Sequence, residues 1–150
     1  MPGIVVGVDG SHHSHRALIW AMRQAAQQQV PLIVLAVRPA AVRPATGIYW
    51  GLHAYPEDSR NPEVARKAIE EMVEQASNEI GGTAPEVTVN VVTGDPAEEL
   101  IKASRDADLV VVGSRGGGGF ASLRIGSVSS KVTHHAACPV VVVREGGQAP

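Results

Sequence analysis

The chain is short of several things, and each shortage closes off a class of protein. It has one cysteine, Cys138, in 150 residues. That excludes an internal disulfide and a zinc site built from paired cysteines. Positive charge does not dominate: 13 Lys and Arg stand against 15 Asp and Glu, a formal net charge of −2. No overall field draws the chain to nucleic acid or to an anionic membrane, so neither is an expected partner. No apolar run reaches the roughly 18 residues that a membrane span requires. The start, "MPGIVVGVDGS", lacks the basic segment and small-residue cleavage site of a secretory signal, and a cytoplasmic location is the expectation. Aromatic residues make up only 3%, and Tyr49, Trp50 and Tyr55 crowd into one stretch. No Gly-Lys pair occurs, which removes the phosphate loop GxxxxGK[ST].

What remains is a globular composition, 44% hydrophobic and 19% charged, of a length that suits one domain with a sizeable core. "GIVVGV" (3–8) reads as a buried strand closed by the turn "DGS". Ser11 or Ser14 caps the helix that follows, in which Leu18, Met22 and Ala25 repeat at helical spacing. "PLIVLAV" (31–37) is a second strand. Pro62 opens a helix with Ala65, Ala68, Ile69, Met72, Val73, Ala76 and Ile80 on one stripe, ended by Gly81 and Gly82. "EVTVNVV" (86–92) alternates and predicts a half-exposed edge strand. Asp95 and Pro96 open a helix carrying Ala97, Leu100 and Ile101. "ADLVVVG" (107–113) predicts a strand buried on both faces. A helix from Ser127 to about Ala137 and the strand "PVVVV" (139–143) complete the order. Strands alternating with helices, with continuous valine runs, predict one parallel sheet covered on both faces.

Ligands of such sheets sit beyond the carboxyl ends of the strands, where strand order reverses. Two loops qualify. One is Asp9-Gly10-Ser11 after the first strand. The other is "GSRGGGGFASLRIGS" (113–127), which holds six of the 16 glycines. Gly113 and Gly116 let backbone N–H groups approach an anion closely. Gly126-Ser127 opens a helix whose first N–H groups carry partial positive charge. Ser127 and Ser129 add hydroxyls, and Arg115 and Arg124 add charge. A carboxylate at Asp9 suits a Mg2+ ion riding on a triphosphate rather than bare phosphate. Residues 116–121 also satisfy G-x-G-x-x-A, but only one strand follows and no acidic residue ends it, which argues against a dinucleotide site.

Gly113-x-x-Gly116, nine residues, then Gly126-Ser127 resembles the G-x2-G-x9-G-[ST] pattern of the ATP-binding branch of the universal stress protein family. Asp9 closing the first strand and "CPVVVV" as the last extend the resemblance to the whole chain, least at residues 39–61. It implies a Rossmann-like, five-stranded parallel α/β domain over 1–144, strand order 3-2-1-4-5, followed by a frayed tail at 145–150. It also implies a homodimer and residue roles. Asp9, with the backbone of Gly7 and Val8, would sit by the adenine edge and the metal–phosphate region. Val37 would pack on the adenine, and Val112 and Gly113 would approach the ribose. Gly116, Gly126, Ser127, Val128 and Ser129 would hold phosphates and ribose. The family often has proline or another small residue near Gly7 and Val8, so those two carry over through backbone only. The nine-residue segment varies in the family, so Arg115 and Arg124 are candidates from their charge alone. In that strand order the last strand is an apolar edge that invites pairing with its symmetry mate.

Other polar groups have plainer readings. His12, His13, His15, His134 and His135 show no HxxxH spacing, and the last pair sits where a helix dipole favours a cation. Cys138, before Pro139, reads as a small buried hydrophobe. Glu63, Arg66, Lys67, Glu70, Glu71 and Glu74 form a solvated face with i,i+4 pairs. The segment 38–61 is either a lid or docking surface, or a loop whose aromatics cover the second helix. The leading functional expectation is a regulatory module binding ATP with Mg2+ and an unidentified protein partner. The alternatives are a slow ATPase or phosphoryl or nucleotidyl transferase using Arg115 or Arg124, and a cyclic AMP-binding or nucleotide-independent scaffold.

Overall fold

Strands and helices alternate as the apolar runs predict. The structure, a computed structural model, describes residues 2–38, 62–114 and 126–144. It runs β1 (Ile4–Val8), α1 (His12–Gln28), β2 (Leu32–Arg38), α2 (Pro62–Ile80), β3 (Val87–Thr93), α3 (Pro96–Ser104), β4 (Leu109–Gly113), α4 (Ser127–His135) and β5 (Val140–Val143). The strands form one sheet in the order β3-β2-β1-β4-β5, every neighbouring pair parallel. Tyr49, Trp50, Tyr55, Arg115, Gly116, Arg124 and the tail 145–150 lie outside the described residues.

Successive strand residues point to opposite faces, and this divides the core in two. Ile4, Val6, Val8, Leu32, Val34, Ala36 and Val111 pack with α1 and α2. Val5, Leu35, Val37, Val110 and Val112 pack with α3 and α4. The three central strands therefore need apolar residues at nearly every position, as their valine runs supply. On α1, Ala17, Leu18, Ala21, Met22 and Ala25 form the buried stripe. On α2, Ala65, Ile69 and Ala76 are buried, while Met72, Val73 and Ile80 pack half-buried beside them.

Helix starts follow their capping residues. Ser11, not Ser14, caps α1: its Oγ accepts the Ser14 N–H at 3.2 Å. Asp95 caps α3, accepting the Glu98 N–H at 2.9 Å, with Pro96 in the first turn. α4 stops at His135, short of the expected Ala137, because Ala136 turns extended (φ −64°, ψ 149°).

The sheet has two edges of different character. β3 alternates half-buried and exposed, and Arg66 of α2 donates to its Val89 carbonyl at 2.6 Å. The charged face of α2 is exposed as expected, but Arg66 reaches across to the sheet rather than along its own helix. β5 is half-buried at all four valines. Among the described residues, no helix is long and apolar enough to cross a membrane.

Candidate functional site

The reversal of strand order falls between β1 and β4. β1 connects onward to β2 on one side, while β4 lies on the other. The register Ile4↔Leu109 to Val6↔Val111, carried on, sets Val8 level with Gly113. On the other side Val8 pairs with Ala36, which sets Asp9 level with Val37. Asp9, just past the end of β1, Val37, next to last in β2, and Gly113, the last residue of β4, thus stand near one another at the carboxyl ends of three adjacent strands.

At the tip of β1 the chain turns sharply. Asp9 Oδ1 accepts the Ser11 N–H at 2.8 Å, and Gly10 takes φ 83°, a conformation that favours glycine. This fixes the Asp9 carboxylate just before α1 begins. Gly7 and Val8 serve the core beneath. Val8 is buried on the α1 side. A Cβ on Gly7 would lie 2.9 Å from Leu100 Cδ1, so the absent side chain is what lets α3 pack against β1.

At the tip of β4 three hydrogen bonds close a ring. The Ser114 N–H donates to the Val143 carbonyl at 2.9 Å, tying β4 to β5. The Gly126 N–H donates to the Ser114 carbonyl at 2.6 Å, so the chain re-enters beside the point where it left. The Ser129 hydroxyl donates to the Gly113 carbonyl and clips the first turn of α4 onto β4. Ser129 is therefore buried and committed to the frame, whereas Ser127 is exposed and Val128 packs on the α3-side core.

The helix starts differ in how their N–H groups are met. α3 has Asp95 as cap and Glu98 and Glu99 in its first turn. α2 has Glu63 in its first turn. α1 is capped by Ser11. α4 has neither: Gly126 supplies no side-chain cap and the first turn contains no acidic residue. Among the described residues nothing offsets the partial positive charge of that terminus, which lies beside the tip of β4 and suits an anion.

Val37 and Val112 are both buried on the face of the sheet that carries α4, close under the strand tips. Gly116, Arg115 and Arg124 lie outside the described residues. Two buried polar residues at this edge escaped the sequence reading, Ser114 and Arg38. Arg38 extends β2 one residue beyond Val37, and a charged residue closing an apolar run was the available signal.

The remaining candidates lie elsewhere. His15 Nε2 is 2.9 Å from Glu79 Oε1, joining the first turn of α1 to the last turn of α2. His134 and His135 end α4, exposed. Among the described residues, no three His, Cys, Asp or Glu side chains gather as a metal site. Cys138 is half-buried rather than enclosed. Desolvation raises its thiol pKa, opposed by a hydrogen bond with the Val110 backbone and reinforced by Asp108.

Known proteins match the chain over nearly its full length. Residues 2–144 fit the model described as the Universal stress protein family. A universal stress protein of Mycobacterium tuberculosis is 37% identical over 158 residues, an alignment covering 95% of this chain and 48% of that protein. The chain spans about half the length of the curated relatives it matches. UspA from Lactobacillus plantarum has the same fold, with a TM-score of 0.70 at 23% identity over 95% of this chain and 97% of its own. A universal stress protein solved in complex with cAMP gives a TM-score of 0.63 at 26% identity over 95% and 96%.

Proposed function

The chain belongs to the universal stress protein family, and on that premise we propose that it is a regulatory module that binds ATP with Mg2+ at the tips of β1 and β4. The observation that carries this reading is the start of α4, free of side-chain cap and acidic residue, set at the same edge as Asp9. The relative solved with cAMP supports an adenine nucleotide as the ligand class, with cyclic AMP the nearest rival to ATP.

The residues present fit such a ligand. Ser127 and Val128 offer N–H groups, and Ser127 an exposed hydroxyl, to phosphate oxygens beside Gly126, which carries no side chain to obstruct them, with Gly116 and the charges of Arg115 and Arg124 as further contributors from the glycine loop. Ser129 holds that turn in place. Val37 and the Asp9 edge receive the adenine, and Val112 and Gly113 border the ribose. Asp9 is the protein's ligand to Mg2+, which would neutralise charge on the phosphates. Occupancy then alters the loops at the strand tips and, through them, affinity for a protein partner.

The module pairs through β5. Its four valines are apolar on both faces and half-buried in one copy, as an edge awaiting a strand would be. The opposite edge is guarded by Arg66 on Val89.

Gly126→Asp tests the site. Gly126 has φ −64° and ψ 164°, which aspartate adopts easily, and aspartate is a good helix cap. The variant should gain a few tenths of a kcal/mol of stability while losing nucleotide binding, because its carboxylate occupies and repels the phosphate position. Unchanged affinity in the folded variant would sink the assignment.

A further inference from the structure

Ser114, the first residue past β4, is buried and commits both of its backbone groups to distant partners. Its N–H donates to the Val143 carbonyl at 2.9 Å, and its carbonyl accepts the Gly126 N–H at 2.6 Å. One partner is the last residue of β5. The other is the cap of α4, the helix start to which the nucleotide phosphates are assigned. Beside it the Ser129 hydroxyl holds the first turn of α4 to the Gly113 carbonyl, and Gly113 is itself the register partner of Val143.

The far end of α4 leads to the same strand. Ala136 turns extended, and the Ala137 N–H donates to the buried Ser104 hydroxyl of α3 at 2.8 Å. The Pro139 carbonyl then accepts the Val110 N–H at 3.0 Å, and β5 begins. So β5, only four residues long, is tied to α4 at both ends: at Val143 through Ser114, and at Val140 through the clamped connection 136–139. A short edge strand frays readily, and its order depends on such ties. A phosphate held by Ser127 and Val128 fixes the start of α4, which fixes Ser114, which fixes the end of β5. A second copy pairing with β5 then has less left to immobilise. The same link runs backward, from a paired β5 to a fixed helix start.

We propose that nucleotide occupancy and pairing through β5 are positively coupled, with Ser114 as the shared residue. The phosphate site then controls an interaction surface, and the partner it controls is a second copy of this chain. This rests on the nucleotide and β5 readings above and adds the link between them.

The test is sedimentation velocity over a dilution series of the full chain, nucleotide-free and with saturating ATP and Mg2+, with occupancy measured by isothermal titration. ATP should bind the dimer about 5-fold or more tighter than the monomer, the lower end of ordinary coupling. With two sites in each dimer, saturation then tightens dimerisation by the square of that factor, about 25-fold. Val142→Pro, which removes an outward N–H of β5, should bind ATP at the weaker monomer affinity at every protein concentration. In that monomer ATP should still slow hydrogen exchange at the Ser114 amide, a readout that needs no dimer. Bound ATP with an unchanged or weakened dimer overturns the coupling and leaves the site reading standing. Unaltered exchange at Ser114 in the occupied monomer overturns the route through that residue. A wild-type chain that stays monomeric in both conditions overturns the β5 reading and the coupling with it. Failure of ATP to bind folded wild-type protein overturns the ATP reading itself.

Discussion

Gly7→Ala puts a methyl group where Leu100 already stands. The new Cβ would lie 2.9 Å from Leu100 Cδ1 and 3.0 Å from Cδ2. Carbon atoms in a core settle at about 3.5–4.0 Å, so Leu100 must leave its rotamer or α3 must draw back. Neither is easy, because Leu100 is 3% exposed within the packed cluster beneath α3 and α4. Overpacking of this kind costs about 1–3 kcal/mol. Gly7 is not among the positive-φ glycines, so alanine meets no backbone strain there and returns about 0.4–1 kcal/mol by restricting the unfolded chain. The net loss is between about 0 and 2.6 kcal/mol, a fall in Tm of up to about 10 °C for a chain of this size. Leu100→Ala costs about 2–5 kcal/mol by itself but removes the obstruction. In that background Gly7→Ala should become neutral or stabilising by up to about 1 kcal/mol. Urea denaturation of the four proteins measures the coupling, expected at about 1–3 kcal/mol. An equal cost of Gly7→Ala in both backgrounds would refute the claim that this glycine exists to seat α3 on β1.

Three further outcomes are expected. Ser129→Ala leaves the Gly113 carbonyl without its buried donor and should cost about 1–3 kcal/mol, read as a Tm lower by about 2–12 °C; an unchanged Tm would show that the clip contributes nothing. Cys138, its pKa raised by desolvation, should alkylate more slowly in the folded protein than in urea, with the pH midpoint of the rate shifted upward from that of the unfolded chain. The folded state holds that proton longer, so the thiol's contribution to stability is full below the unfolded pKa and is lost as pH rises through the folded one; stability rising with pH across that range would contradict the shift. In β5, the carbonyls of Pro139 and Val143 bond to β4, which turns the N–H groups of Val140 and Val142 outward. Val142→Pro should therefore leave the β4 ladder intact and give a monomer by sedimentation velocity, whereas a retained dimer would place the interface elsewhere.

The order of elements was legible because it rests on local signals. Valine runs at 4–8 and 109–113, Ser11 and Asp95 at helix starts, and the alternation of β3 each act within a few residues. The tips of the strands were legible too, since glycines and small polar residues stand there together. What the sequence hid are contacts between elements far apart in the chain. Gly7 meets Leu100, Arg66 meets Val89, His15 meets Glu79 and Ser129 meets Gly113 only once the helices have docked. Ser129 shows the consequence: by type and place it reads as a phosphate ligand, yet docking turns its hydroxyl to the frame. Arg38 shows the reverse, since a charged residue at a strand end reads as solvated until the packing around it is seen.

The central claim is that the edge formed by Asp9, Val37, Gly113 and the start of α4 binds an adenine nucleotide. The most direct measurement is isothermal titration of nucleotide-free, folded protein with ATP and Mg2+, then with ADP, AMP, cyclic AMP and GTP in the same buffer. Saturable binding of ATP, and of adenine nucleotides in preference to GTP, is the predicted result. Absence of binding by every adenine nucleotide would contradict the account.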